Sequence, residues 1–354
     1  MKQIAILGST GSVGRDALAV AKELNGYCSI YCIAANTNWR LLLEQINEYK
    51  PAKAVVIDKS AYSELKRSLG SSRISTELFC GVDAVKDIIT SKEVDIVLSA
   101  VAGASGLPFS IATLKAGKRL ALANKESLVI AGGLLTQLAN KHNGEIIPID
   151  SEHSALFQAI RSGSKNEVKK IFLTASGGPF RKYSIEQLKT ATREEALRHP
   201  VWNGMGRKIT IDSATMMNKA LEIVEAHWLF GLRHQQIEIL VHPQSIVHSM
   251  VEFCDGSVIA QMGLPDMKLP IQYALTHPER MPNNVNHRLN LAEVGNLTFE
   301  SPDYERFPAL RLGYRAAENG GTMGAVMNAA NEVAVGRFLD ESVRFLDIVE
   351  ITKD

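Results

Sequence analysis

The chain has 354 residues, which at about 150 residues per domain leaves room for two or three domains and more than one hydrophobic core. Hydrophobic residues make up 45% and charged residues 22%, and 39 basic against 38 acidic side chains leave a formal charge of +1. That balance argues against a nucleic-acid binder or an anionic-membrane binder, and no apolar run reaches the roughly 18 to 20 residues of a membrane span.

The N-terminus enters a strand almost at once and is broken by glycine too early for a signal peptide. Cys28, Cys32, Cys80 and Cys254 show no CxxC pair and no ligand spacing, so they read as buried small hydrophobes in a reducing, cytoplasmic protein. From residue 2 to 150, apolar runs at 3–7, 29–34, 54–57, 95–100, 120–123 and 145–149 alternate with helical spacing at 16–24, 38–49 and 107–116. This is the pattern of an α/β domain with a doubly wound parallel sheet. Past residue 150, runs at 168–174, 237–241, 246–253 and 257–262 predict a second sheet, with Asp255-Gly256 as a hairpin turn. Helices at 154–161, 214–230 and 269–276 are expected to cover it, giving a central α+β domain over 151–280. A Pro- and Asn-rich stretch, 281–308, reads as a linker. Helical patterns at 309–318 and 324–339 make a small C-terminal helical domain over 309–354, whose last pattern looks cut short.

Three motifs carry chemistry. Gly8-Ser-Thr-Gly11-Ser-Val-Gly14 follows the first strand and opens a helix, where glycines let a backbone approach a pyrophosphate and free N–H groups receive its charge; the plain alternative is a tight turn. After the second strand stands Ala34-Ala35-Asn36-Thr37-Asn38 with no carboxylate to repel a 2′-phosphate, which favours NADP over NAD. Asp150-Ser151-Glu152 ends the last strand of the first domain. If extended, its two acids project to one side and can share a divalent ion, and otherwise Asp150 or Ser151 caps the next helix. On a helix, Asn218 and Lys219 each face Glu222 at spacings of four and three, on a segment whose Met216, Met217, Leu221 and Val224 mark it as buried. Three carboxylates without a His/Cys cluster suit Mg²⁺ or Mn²⁺ rather than zinc. Ser176-Gly177-Gly178 is a phosphate nest or a simple turn. His199 to Gly206, with Trp202 and Met205, is a closing flap or an ordinary loop.

GSTGSVG from Gly8, ANKESLV from Ala123, PIDSEHS from Pro148, SGGPF from Ser176, HPxW from His199 and IDSATMMNK from Ile211 together resemble the 1-deoxy-D-xylulose 5-phosphate reductoisomerase family. The resemblance implies an NADPH-binding Rossmann domain, a catalytic domain with a flap at 199–206, a C-terminal helical domain, and a homodimer. It implies an oxidoreductase and isomerase that rearranges and reduces deoxyxylulose phosphate to 2-C-methyl-D-erythritol 4-phosphate in non-mevalonate isoprenoid synthesis. Asp150, Glu152 and Glu222 would hold Mg²⁺ or Mn²⁺. Ser151, Ser176, His199, Ser213, Asn218 and Lys219 would contact the phosphorylated substrate, with Lys125 near the reacting end. Thr10, Gly11, Ser12, Val13, Ala35, Asn36, Thr37, Asn124, Glu126 and Gly206 would meet NADPH. Some relatives carry Lys or Arg beside position 36 where this chain has none, and Arg40 is the nearest substitute; the flap, Trp202-Asn-Gly-Met205, is one residue longer than Trp-Ser-Met. A semialdehyde dehydrogenase would instead need a cysteine nucleophile, for which Cys254 beside a hairpin turn is a poor setting. A non-catalytic NADP sensor would have a broken acidic trio, and this trio is intact.

Overall fold

The computed structural model describes residues 1–70, 75–201, 204, 206–282, 284 and 287–354. The chain opens with β1 (Lys2–Leu7), α1 (Ser12–Glu23), β2 (Cys28–Ala35), α2 (Trp39–Tyr49), β3 (Lys53–Val56), α3 (Lys59–Leu69), β4 (Glu77–Cys80) and α4 (Val82–Thr90). It continues through β5 (Ile96–Ser99), α5 (Leu107–Lys115), β6 (Arg119–Leu122), α6 (Lys125–His142) and β7 (Glu145–Pro148). The middle holds α7 (Ser151–Ala159), β8 (Val168–Ala175), α8 (Ile185–Lys189), α9 (Arg193–Ala196), α10 (Arg207–Ala214), α11 (Met217–Phe230), β9 (Ile237–Val241), β10 (Val247–Phe253) and β11 (Val258–Met262). Helices α12 (Lys268–Thr276), α13 (Leu291–Val294), α14 (Ala309–Asn319), α15 (Met323–Leu339) and α16 (Asp347–Lys353) complete it.

The chain divides into two compact units: residues 1–127, 133–150 and 266–287, and residues 128–132, 151–265 and 288–354. The first is a seven-stranded sheet in the order β4-β3-β2-β1-β5-β6-β7, parallel throughout. Its central strands are apolar beyond their first residues because helices cover both faces; Ile4, Ala5, Ile6, Val55, Val97 and Leu98 have no exposed surface. The strand order reverses between β1 and β5, and the crevice at that switch point, at the carboxyl ends of the strands, is where open α/β sheets take ligands. Strand β4 escaped the sequence reading. It is a short edge strand, exposed or half-buried at every position, whose apolar run is only the three residues Leu78-Phe79-Cys80.

The second unit has a mixed sheet, β11-β10-β8-β9, in which β8 and β9 run parallel and the other pairs antiparallel. Helix α7 packs on β10 and β11, and α11 on β8 and β9. Three expectations need correction. Helix α12 was expected over this sheet, yet it packs in the first unit against α1, β6 and β7, where Tyr27 donates to the Thr276 carbonyl at 3.1 Å. It is buried on nearly every side, so its periodicity named no partner. The 281–308 stretch is more than a linker: it holds α13, pairs Glu300 with Val241 in an antiparallel bridge, and ties Arg306 to the Arg181 and Tyr183 carbonyls at 2.9 Å each. The C-terminal helices are no separate domain, since one core joins Leu310, Met327, Val335 and Phe345 to Leu221 and Ile171. Their approach is close enough that a Cβ on Gly313 would lie 2.5 Å from the Ala220 carbonyl, and one on Gly324 2.2 Å from that of Val129.

Among the described residues, no helix is long and apolar enough to cross a membrane. Cys28 and Cys32 are buried as expected, and burial pushes their thiols up to about 11 and about 12. Cys80, ending an edge strand, is half-buried, and Cys254, beside the hairpin turn, is exposed, against the expectation that all four are buried.

Candidate active site

In the first unit the glycine motif forms the turn from β1 into α1. Gly8 has φ of 78°, and a Cβ on it would lie 2.5 Å from the Ala100 carbonyl at the end of β5. A Cβ on Gly14 would fall 2.2 Å from the Gly8 carbonyl, so α1 can start where it does only with glycine there. Gly11 meets only the Gly8 carbonyl, at 3.3 Å. Behind the turn, buried Ser9 donates to Gln45 at 2.8 Å and accepts from the Gln45 amide through its carbonyl at 2.9 Å, fixing the loop to α2. Gly11 and Ser12 are exposed and Thr10 and Val13 half-buried, which leaves the N-terminal N–H groups of α1 accessible. After β2, Ala35 is buried while Asn36, Thr37, Asn38 and Arg40 are exposed, and the Arg40 guanidinium lies 4.6 Å over the Trp39 ring.

Asn124 begins α6. Its Oδ1 accepts from the Ser127 N–H at 3.0 Å, and its amide donates to the Val101 and Gly103 carbonyls at 2.7 and 2.9 Å and to Glu126 at 3.0 Å. Asn124 thereby locks the turn after β5 to the turn after β6. Next to it, Lys125 is buried with its ammonium 2.8 Å from the carboxylate of Asp150, which follows β7. Two buried charges in this geometry need each other.

In the second unit the chain turns helical at Ser151, so the extended reading of Asp150-Ser151-Glu152 is corrected: Ser151 and Glu152 form the first turn of α7, and the Ser151 hydroxyl donates to Glu152. The buried Lys219 ammonium on α11 bonds Glu152 at 2.9 Å and Glu222 one turn along, while the Asn218 amide donates to the other Glu222 oxygen. Sequence spacing anticipated the Asn218–Glu222 and Lys219–Glu222 pairs. His153 it missed: this buried ring sets Nε2 at 3.0 Å from the Glu222 carbonyl and Nδ1 at 3.5 Å from the carboxylate of buried Glu225. Its only sequence signal is a histidine inside an otherwise buried helical run.

Ser176, at the carboxyl end of β8, lies 3.2 Å from His199 Nε2, and Ser213 lies 3.0 Å from the same nitrogen. The Val201 N–H donates to Nδ1 at 3.2 Å, so the neutral ring carries its proton on Nε2 and turns a donor toward the two hydroxyls. Burial lowers this imidazole from its ordinary 6.5 to about 4, which keeps it uncharged at neutral pH. Gly177 and Gly178 both have positive φ, and Gly178 presses so closely on the Ser213 carbonyl that a Cβ would lie 2.5 Å away.

The helix expected over 214–230 is broken. Helix α10 ends at Ala214, and buried Met216 takes a left-handed φ of 61° before α11 begins. That conformation costs a residue with a Cβ roughly 1–2 kcal/mol. Packing imposes it, and no turn-forming residue announces it. Gly206 caps α10 as its exposed first flanking residue. Of the flap expected at 199–206, Trp202, Asn203 and Met205 lie outside the described residues.

A doubly wound parallel sheet with a glycine turn at its switch point, joined to an α+β unit bearing lysine-held acids and a hydroxyl–imidazole cluster, defines an α/β protein of the dinucleotide-binding class. Residues 4–132 match the family model for 1-deoxy-D-xylulose 5-phosphate reductoisomerase, and residues 146–230 and 262–354 match the two models for C-terminal domains of the same enzyme. The reductoisomerase of Pelodictyon phaeoclathratiforme is 51% identical over 348 residues, spanning 98% of this chain and 90% of its own. The Zymomonas mobilis reductoisomerase, solved in complex with NADPH, is 43% identical with a TM-score of 0.92, covering 99% of this chain and 90% of its own. A further reductoisomerase structure, with NADPH, fosmidomycin and magnesium, is 41% identical with a TM-score of 0.94, covering 100% of this chain and 88% of that one. The chain belongs to the 1-deoxy-D-xylulose 5-phosphate reductoisomerase family.

Proposed function

We propose that this chain converts 1-deoxy-D-xylulose 5-phosphate to 2-C-methyl-D-erythritol 4-phosphate with NADPH and a divalent metal ion, as its family membership implies. The observation that carries the site assignment is the Lys219 ammonium held by Glu152 and Glu222, two carboxylates from different segments already gathered on one cation. Asp150, Glu152 and Glu222 offer carboxylate oxygens, the donor type that suits a hard ion such as Mg²⁺ or Mn²⁺. The glycine turn, with no space for a Cβ at Gly8 or Gly14, and the acid-free 34–41 segment fit NADPH. When bound, the ion supplies Lewis acidity to the substrate oxygen that gains charge during rearrangement, and NADPH supplies the hydride that reduces the resulting aldehyde.

The protein groups divide the remaining work. Ser176, Ser213, Asn218, Lys219 and the neutral His199, donating through Nε2, bind the substrate phosphate, and Ser151 and Lys125 orient the reacting end. Thr10, Gly11, Ser12 and Val13 take the NADPH pyrophosphate at the α1 terminus, Ala35, Asn36 and Thr37 its adenosine end, and Asn124, Glu126 and Gly206 its nicotinamide half. In this reading the enzyme works as a homodimer in the cytoplasm, the latter supported by four free cysteines.

The test is NADPH oxidation with deoxyxylulose phosphate, with and without EDTA. Turnover that chelation abolishes and Mg²⁺ or Mn²⁺ restores is expected. Turnover indifferent to chelator but lost on thiol alkylation would transfer the reading to a cysteine-dependent dehydrogenase.

A further inference from the structure

The corner between α10 and α11 carries Ser213 on one side and Asn218 and Lys219 on the other, and it turns through left-handed Met216. A backbone of this kind persists only where its surroundings over-determine it. One restraint is local: the Met217 N–H donates to the Thr215 hydroxyl at 3.2 Å. A second is the glycine loop after β8, with Gly178 against the Ser213 carbonyl. A third comes from more than a hundred residues away, where the Asn331 amide on α15 donates to Asp212 Oδ1 at 2.8 Å. The other Asp212 oxygen accepts from Lys208 at 2.7 Å.

Asn331 is costly where it stands. It has no exposed surface, and its Oδ1 finds no hydrogen-bond partner among the described residues. Of the other buried positions on α15, Met327, Ala334, Val335 and Phe338 are apolar, while buried Asn328 has its own partner in Glu332 at 3.1 Å, so packing does not require an amide at 331. A buried amide with half its hydrogen-bonding capacity unmet is a poor stabiliser, and its one good bond goes to the residue directly before Ser213.

We infer that Asn331 is a positioning residue for the phosphate end of the site, acting through Asp212 on the last turn of α10 so that Ser213 meets His199. The inference rests on the functional reading above. It makes α15 part of substrate recognition although no α15 side chain need touch the substrate.

Steady-state kinetics of Asn331→Ala, with NADPH binding measured separately by fluorescence, tests it. The KM for deoxyxylulose phosphate should rise about tenfold or more while kcat stays within about threefold and the NADPH Kd within about twofold, as for a displaced substrate contact. A purely structural role would instead lower Tm and the active fraction at unchanged KM, and that result overturns the inference. The reciprocal swap supplies the rescue. Asn331→Asp alone sets two carboxylates together and should raise KM, whereas Asp212→Asn combined with Asn331→Asp restores a donor–acceptor pair with its polarity reversed and should lower KM again. A double variant no better than Asn331→Asp also overturns it. Wild-type protein assayed in parallel separates the failures: an active wild type with an unaltered variant KM breaks this inference alone, while an inactive wild type breaks the functional reading and this inference with it.

Discussion

The glycine turn of the first unit and the acid–lysine centre of the second hold charge by opposite means. The turn offers backbone N–H groups at a helix terminus, and what it demands of its residues is the absence of side chains, at Gly8 and Gly14 above all. The centre is built of long ionisable side chains packed out of water and made tolerable by one another, Lys219 by Glu152 and Glu222. A backbone site fails through shape, and a side-chain site fails through lost chemistry in an intact fold.

Substitutions can break that contrast. The largest effect is expected at the centre. Glu222→Gln leaves Glu152 on Lys219, so the circular dichroism spectrum should stay native, while the proposed ligand role requires kcat/KM to fall by about 10³-fold or more. Asp150→Asn should behave alike and still bind NADPH. A variant of either kind with near-normal turnover would make the acids structural. Next comes the turn: Gly14→Ala drives a methyl group into the Gly8 carbonyl and the Ser9 backbone and should cost about 3 kcal/mol or more, whereas Gly11→Ala should cost far less; chemical denaturation measures both. Equal losses at the two glycines would show that the turn is not shape-limited.

A smaller effect concerns the cofactor. Asn36→Asp places a carboxylate at the exposed end of β2 and should weaken NADPH binding about tenfold while sparing NADH, read by titration of either nucleotide. The smallest is a pH effect at His199, whose buried imidazole sits at about 4. Between that value and the ordinary 6.5 the unfolded chain takes up a proton the folded chain refuses, so this residue subtracts stability as the pH falls through the window and subtracts nothing above it. His199→Gln should therefore lose Tm less steeply than wild type between about pH 6.5 and pH 4.5. Parallel Tm-against-pH curves would show that the ring is not held neutral by burial.

The same contrast explains what the sequence made legible. Strands β1, β2 and β3 and the turn after β1 were readable because their determinants are contiguous, apolar runs followed by glycines at a strand–helix junction. The spacing of Asn218, Lys219 and Glu222 was readable because a helix converts sequence offset into proximity. That Glu152 shares Lys219 was outside the reach of spacing, since 67 residues separate the two. Grouping Glu152 with Glu222 rested on the chemistry of three carboxylates and on the family resemblance, not on spacing. The break at Met216 went unseen because a Met-Met pair has no turn chemistry, and His153, Asp212 and Asn331 went unseen because single polar residues in buried helices look alike whether they hold the site or merely satisfy one another.

The close seating of Gly313 under Ala220 and of Gly324 under Val129 bears on how a mutational-tolerance map of this enzyme would look. A single methyl group at either position must displace backbone: that of the helix bearing Lys219 and Glu222 in one case, and that of α6 in the other. Selection for activity would score both glycines as indispensable, as if they were chemical participants, although neither carries a functional group. Sites ranked by intolerance alone would thus mix the atoms that meet the substrate with the places where two backbones leave no room for a carbon.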